Sequence, residues 1–237
     1  MGRIEALLWD IDGTLLNFAA SERAGIRNSF AAFGLGPCSD ALLEEYSAIN
    51  TRYWEMLERG ECTKRETMIG RFVEFFGLHG ISADPEAFND DYQRRLPETI
   101  VFNDDGLAVL KALSHTFRQY AVTNGNRPVQ RKKLNDSGMI DVFDGVFISD
   151  EVGCEKPSIE YFSHVLKAIG LRPEQTMIIG DSLTSDMLGG ARIGAVCCWY
   201  NPSHKPLPED LPIPYVIDDL RVLLTLSDKL VSEADER

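Results

Sequence analysis

The sequence is short of basic charge, poor in cysteine and without any apolar run long enough to cross a membrane, and each shortage removes a class of function. Lys and Arg number 24 against 37 Asp and Glu, a formal net charge of -13. Nucleic-acid polymers and anionic membrane surfaces are therefore poor partners, and a small anionic substrate would need positive charge supplied locally. The five cysteines, Cys38, Cys62, Cys154, Cys197 and Cys198, have no C-x-x-C spacing and an odd count. That excludes a disulfide framework or zinc site, predicts a reducing, cytoplasmic setting, and makes all five packing residues. Glu5, Asp10 and Asp12 interrupt the first apolar stretch, which rules it out as a signal peptide, and Ala6 stands where a myristoylation motif needs Ser or Thr. No internal repeat is present. What remains is a soluble globular chain, monomer or homodimer, whose 237 residues with 44% hydrophobic content can bury a full core.

The chain is organised around Ala6-Leu7-Leu8-Trp9-Asp10-Ile11-Asp12-Gly13-Thr14-Leu15, an apolar run that ends in two carboxylates, a glycine and a threonine. It predicts a buried central strand of a parallel sheet, about Ile4 to Asp10, with the carboxylates at its C-terminal edge. From Asn17 the pattern is helical for some eighty residues. Apolar residues recur at helical spacing in Ala24-Ile26-Phe30-Phe33, Leu42-Leu43-Tyr46-Ile49-Tyr53-Trp54-Leu57, Ile69-Phe72-Val73-Phe76 and Phe88-Tyr92-Leu96, broken by glycine and proline. The expectation is a four-helix bundle over 17–100 inserted into a core of 1–16 and 101–237. From Asp104 helices and strands alternate, with strands expected at 119–123, 146–149, 177–180, 195–199 and 215–217. This is the pattern of an α/β, doubly wound parallel sheet, Rossmann-like in class. The polar tail after Val231 reads as frayed.

Four strand ends carry polar residues, and in a parallel sheet they meet at one crevice. Asp10 and Asp12 are expected to converge on a small hard cation, although a turn with solvated acids has the same letters. Thr123-Asn124-Gly125 offers a hydroxyl and backbone N–H groups at a helix N-terminus, an anion site or simply a cap with a turn glycine. Lys156, before Pro157 in the first turn of a helix, is either held at the site or solvated. Asp181 and Asp186 could face one cation or one lysine. Carboxylates crowded in this way repel unless a cation such as Mg²⁺ keeps them ionised, and Mg²⁺ also bridges to phosphate oxygens. Phosphate is thus the expected substrate group.

In order and spacing these four motifs resemble the haloacid dehalogenase superfamily of aspartate-nucleophile phosphatases, over the whole chain, and the inserted bundle resembles its members with a helical cap. The resemblance implies that Asp10 is the nucleophile and a metal ligand, and that Asp12 is the acid/base, also ligating metal through its backbone carbonyl. It implies that Thr123, Asn124, Gly125 and Lys156 bind phosphate, that Asp181 ligates Mg²⁺, and that Asp186 supports the metal and orients Lys156. Asp12 argues against a dehalogenase, which lacks an acid/base aspartate there. A first lysine after Asp12 as late as Lys64 weakens phosphonate chemistry, which needs a cap lysine soon after the first motif.

Asp12-Gly13-Thr14-Leu15-Leu16-Asn17-Phe18, Val122-Thr123-Asn124-Gly125, Ile148-Ser149-Asp150-Glu151-Val152-Gly153 with Lys156-Pro157, and Gly180-Asp181-Ser182-Leu183-Thr184-Ser185-Asp186 look like the branch of noncanonical pyrimidine 5′-nucleotidases. Phosphoglycolate, sugar-phosphate and acylneuraminate-phosphate phosphatases are the alternatives, as is a non-catalytic phosphate-binding protein of the same fold. The small phosphorylated substrate would be read by Phe18, Tyr53, Trp54 or the turn over 60–65, with Tyr53 and Trp54 also fitting bundle core.

Overall fold

Ala6-Leu7-Leu8-Trp9 forms β1 (Ala6–Trp9), with all four side chains buried. Its place in the chain's six-stranded parallel sheet explains that burial, because β1 has a strand on each side and helices over both faces. Four helices follow, α1 (Phe18–Ala32), α2 (Asp40–Glu58), α3 (Lys64–His79) and α4 (Pro85–Arg95). The alternating part then runs α5 (Gly106–Leu113), β2 (Arg118–Thr123), α6 (Arg127–Asp136), β3 (Gly145–Ile148), α7 (Ser149–Val152) and α8 (Ile159–Ile169). It closes with β4 (Thr176–Gly180), α9 (Leu188–Ile193), β5 (Val196–Tyr200), β6 (Tyr215–Ile217) and α10 (Val222–Ser232). The computed structural model describes residues 3–232. Two units result, residues 1–17 with 102–237 and, separately, Phe18–Val101. The expected frayed tail lies, from residue 233 on, outside the described residues.

The strand order β3-β2-β1-β4-β5-β6 makes β1 the point where the winding reverses. Trp9 pairs with Ala121 of β2 on one side and Ile179 of β4 on the other. Asp10, Thr123 and Asp181 therefore leave three adjacent strands at the same edge, where such sheets bind ligands. Alternate residues, Ala6, Leu8, Tyr120, Val122, Ile178, Cys197 and Trp199, pack against Tyr161, Phe162, Val165, Leu166 and Ile169 of α8. Period 2 of the strands thus meets period 3.6 of the helix. On the other face the buried Trp9 indole donates to Gln119 Oε1 at 2.9 Å and the Gln119 amide donates to the Leu110 carbonyl at 2.6 Å, so neither polar group is stranded.

Departures from the expected elements have local causes. β3 stops at Ile148, and Ser149, expected as the last residue of that strand, opens the short α7 instead. The helical segment after β4 begins as a π-helical turn over Leu183–Met187, capped where the Ser182 hydroxyl accepts from Ser185 N–H. That wider turn carries Asp186 back toward the strand edge. Ser158 caps α8, so Pro157 precedes the helix rather than sitting in its first turn. Cys197 and Cys198 are packed in the core, whereas Cys38, Cys62 and Cys154 are only half-buried.

Within the helical unit the boundaries follow their caps. Thr63 and Glu66 make a capping box at the start of α3, Gly80 ends it in the left-handed conformation, and Asp84-Pro85 opens α4. Phe30, Tyr46, Phe72, Phe75, Phe76, Phe88 and Tyr92 form its interior, mostly in edge-to-face or tilted contact. Val73, one position off that stripe, faces outward. Hidden among the rings is a polar chain: Asn50 donates to Glu22 at 2.7 Å, and the buried Arg71 donates to Asn50 at 2.6 Å and Asn89 at 3.1 Å. Burial pushes the Glu22 carboxyl up, opposed by its bonds from Ser47 and Asn50.

Candidate active site

Asp10 follows β1 directly, its N–H donating to the Ile179 carbonyl of β4 at 2.9 Å. Its side chain is therefore fixed at the sheet edge. Lys156 Nζ donates to Asp10 Oδ1 at 2.8 Å, to Asp186 Oδ1 at 2.7 Å and to the Val122 carbonyl at 3.0 Å, which uses all three of its protons. The Thr14 hydroxyl lies 3.1 Å from Asp10 Oδ2 and 3.2 Å from Asp181 Oδ1. Asp186 and Lys156 are each 1% exposed, so this is a built arrangement and not a solvated surface pair.

The lysine is also held from the turn that follows β2. Asn124 pairs with the Lys156 backbone, accepting from its N–H at 2.8 Å and donating to its carbonyl at 2.9 Å. The Asn124 amide is thereby committed to positioning the Lys156 loop, a role not read from the sequence. Gly125 N–H turns onto Thr123 Oγ1 at 3.3 Å. At the start of α6, expected to be open to an anion, Arg127 N–H is met by the Asp150 carboxylate at 2.9 Å.

One expectation is corrected outright. Asp10 and Asp12 do not converge through their side chains: Asp12 Oδ1 accepts from Lys133 Nζ and Asp12 Oδ2 from Gln130 Nε2, both at 2.6 Å. Residues two apart after a strand edge diverge as the chain turns at Gly13. That glycine has φ +99°, and a Cβ there would stand 2.5 Å from Asp181 Oδ2. Gln130 and Lys133 were missed, although both occupy buried positions in the period of α6 where apolar residues would be expected.

The carboxylates that do gather are Asp10, Asp181 and Asp186, with one oxygen of each within 4.8 Å of the others. Burial, then Asp186 and Asp181, drive the Asp10 carboxyl well above its ordinary range, against the pull of Lys156. Burial and Asp186 push Asp181 up to about 7. Burial alone would lower the Lys156 ammonium, but Asp10 and Asp186 outweigh it and hold it above its usual value. Three crowded oxygen donors with no nitrogen or sulfur, disfavoured as bare anions, fit a hard divalent cation of the Mg²⁺ type.

Proton competition follows, with a definite sign. The Asp181 carboxyl binds a proton below about pH 7 in the metal-free chain, and a cation must displace it. Apparent Mg²⁺ affinity is expected to fall as pH drops through that value, with proton release that grows toward pH 6. Calorimetry in two buffers of different ionisation enthalpy measures the released protons. Equal affinity at pH 6 and pH 8 without proton release would contradict the arrangement.

A family model described as a haloacid dehalogenase-like hydrolase matches residues 4–194. The chain belongs to that family. This haloacid dehalogenase-like hydrolase is 36% identical over 214 residues to the HAD-hydrolase YfnB of Bacillus subtilis (strain 168), covering 90% of this chain and 91% of YfnB. It is 31% identical over 231 residues to pyrimidine 5′-nucleotidase PynA of Streptococcus pneumoniae (strain ATCC BAA-255 / R6), covering 96% of each. A crystal structure of YfnB bound to magnesium, described as revealing interdomain movement, superposes with a TM-score of 0.90 at 34% identity, over 95% of this chain and 99% of that one. The parallel sheet described above is thus the Rossmann-like core of a haloacid dehalogenase-like hydrolase, and the chain is an enzyme. Among the described residues no helix is long and apolar enough to cross a membrane.

Proposed function

We propose that this hydrolase is a Mg²⁺-dependent cytoplasmic phosphatase that cleaves nucleoside 5′-monophosphates, pyrimidines preferred, through an aspartyl phosphate on Asp10. The observation that carries the chemistry is the buried Asp10 carboxylate at the sheet's winding reversal, 2.8 Å from Lys156 and grouped with Asp181 and Asp186. An Asp10 oxygen attacks phosphorus while Lys156 offsets the phosphate charge that would repel it. The P–O bond to the alcohol breaks, its electron pair leaves with the oxygen, and Asp12 supplies the proton. Water then attacks the aspartyl phosphate, gives its proton to Asp12, and releases inorganic phosphate with Asp10 restored. Thr123 and backbone N–H groups of the Thr123–Gly125 segment hold the phosphate oxygens. Asp10, Asp181 and the Asp12 carbonyl would hold Mg²⁺, with Asp186 close by; when bound, the ion neutralises phosphate charge and orients it for in-line attack.

The nucleotide assignment is supported by the 31% identity to a pyrimidine 5′-nucleotidase along nearly the whole chain. In the helical unit Phe18, Tyr53 and Trp54 are half-buried, unlike the rings of the bundle interior. Tyr53 also packs against α3, where a Cβ at Gly70 would come within 2.8 Å of its ring. Stacking of a base on one such ring contributes ~1–3 kcal/mol, enough for a tenfold or larger preference over phosphates lacking a ring. With saturating Mg²⁺, kcat/KM is expected to be highest for uridine and thymidine 5′-monophosphates, lower for adenosine 5′-monophosphate, and lowest for phosphoglycolate and a sugar phosphate. A chelator should abolish all of it. A tenfold lead for phosphoglycolate or the sugar phosphate would remove the nucleotidase assignment and leave the phosphatase one.

A further inference from the structure

The inner face of α6 carries two polar side chains where its period calls for apolar ones, Gln130 at 1% exposure and Lys133 at 0%. Each reaches a different oxygen of the same carboxylate, Lys133 Nζ to Asp12 Oδ1 and Gln130 Nε2 to Asp12 Oδ2. An ammonium withdrawn from water is unfavourable unless it is paired, and a hydrophobic side chain of similar volume would fill the same space at no such cost. Gln130 adds a second anomaly, because its Oε1 is buried with no hydrogen-bond partner among the described residues. Purely structural packing would select methionine or leucine there and leave no orphaned acceptor.

Gly125 belongs to the same device. Its φ is not in the left-handed region, so turn geometry does not demand glycine. A Cβ at that position would instead stand 2.2 Å from Gln130 Nε2 and 2.4 Å from Gln130 Cγ. The glycine of Thr123-Asn124-Gly125 is bare so that Gln130 can lie across it and reach Asp12.

We propose that Lys133 and Gln130 are positioning residues that hold Asp12 for proton transfer, an inference that rests on the phosphatase reading above. Each Asp12 oxygen accepts one of these bonds and keeps a second lone pair for the leaving oxygen or the attacking water. When the Asp12 proton passes to the leaving oxygen, the carboxylate that remains is received by two donors already in place, with no reorganisation required. The gain is greatest where the leaving group depends most on protonation.

The test uses leaving groups of unequal need on the full chain with Mg²⁺. One is the alkyl phosphomonoester that wild type hydrolyses fastest, and the other is p-nitrophenyl phosphate, whose phenolate departs with little help. kcat/KM reports the first transfer for both. Lys133→Met is expected to lower kcat/KM roughly 100-fold on the alkyl ester and less than about tenfold on the aryl ester. Gln130→Met should shift the ratio in the same direction by a smaller factor. It also removes the orphaned carbonyl, so it keeps its melting temperature and carries the test should Lys133→Met fail to fold. In an Asp12→Asn background, adding Lys133→Met or Gln130→Met should cost less than about twofold, because both act through Asp12. Equal losses on the two esters, an unchanged ratio, or a loss that persists undiminished in Asp12→Asn would overturn the inference. A wild-type enzyme inert on both esters would instead overturn the phosphatase reading itself.

Discussion

Asp10→Asn is expected to abolish turnover, lowering kcat/KM by roughly four orders of magnitude or more, while the chain stays folded. The substitution replaces one carboxylate oxygen with an amide nitrogen at nearly constant volume, so packing at the end of β1 is preserved. Nucleophilicity toward phosphorus is lost. Stability should move the other way in the metal-free protein. The Asp10 carboxyl lies well above its ordinary range even with Lys156 pulling it down, so its surroundings disfavour the charge on balance. A carboxyl raised in the folded state loses stability as pH rises from its unfolded value toward its folded one. Removing the charge removes that loss. Metal-free Asp10→Asn should therefore melt at or above wild type at pH 8, and the difference should close toward pH 4. Phosphate release at wild-type rate from the folded variant would rule out Asp10 as nucleophile, and a variant that melts far below wild type at pH 8 would contradict the charge balance.

Lys156→Met should have the largest effect on stability. The ammonium is 1% exposed and shared between Asp10 and Asp186, so methionine fills the space and leaves two buried carboxylates without their cation. Breaking one buried pair in this way costs ~3–5 kcal/mol, a fall of roughly 6–20 °C in Tm for a chain of this size. The loss should shrink as pH falls, because the Asp10 carboxyl, held above its ordinary range even beside Lys156, takes up a proton more readily once the ammonium is gone and ceases to be a buried charge. Activity should drop by a further, separable factor of about 10²–10³, the worth of one donor aimed at developing phosphate charge. Thermal melts from pH 4 to 8 read the first effect, and kinetics well below the melting temperature read the second. A variant that melts like wild type at pH 8 would mean that the Lys156 pairs contribute nothing net.

Much of this was legible along the chain because it is local in sequence. An apolar run ending in Asp10 and Asp12, caps such as Thr63 with Glu66, and breakers such as Gly80 and Pro85 act through neighbours one to four residues away, which periodicity registers. The sheet's class followed from the alternation of strands and helices. The membership of Asp181 and Asp186 in one polar edge followed from their place after a buried strand.

Tertiary structure alone decided where each carboxylate points. Asp12 is turned from the Asp10, Asp181 and Asp186 group by the positive-φ bend at Gly13 and taken by α6, more than a hundred residues on, through two side chains whose letters read as an ordinary exposed Gln and Lys. The Asn124 side chain serves the Lys156 backbone for the same reason: its partner lies on another strand's loop, and no spacing rule reaches across a parallel crossover. The buried chain of Glu22, Asn50, Arg71 and Asn89 was likewise invisible, since polar residues at helical spacing look solvated until the four helices that carry them close together. Sequence by itself determined which groups stand at the strand ends, because strand and turn formation are local. Which of those groups meet was decided by packing between segments far apart in the chain, where burial makes each unpaired charge costly enough to select its partner.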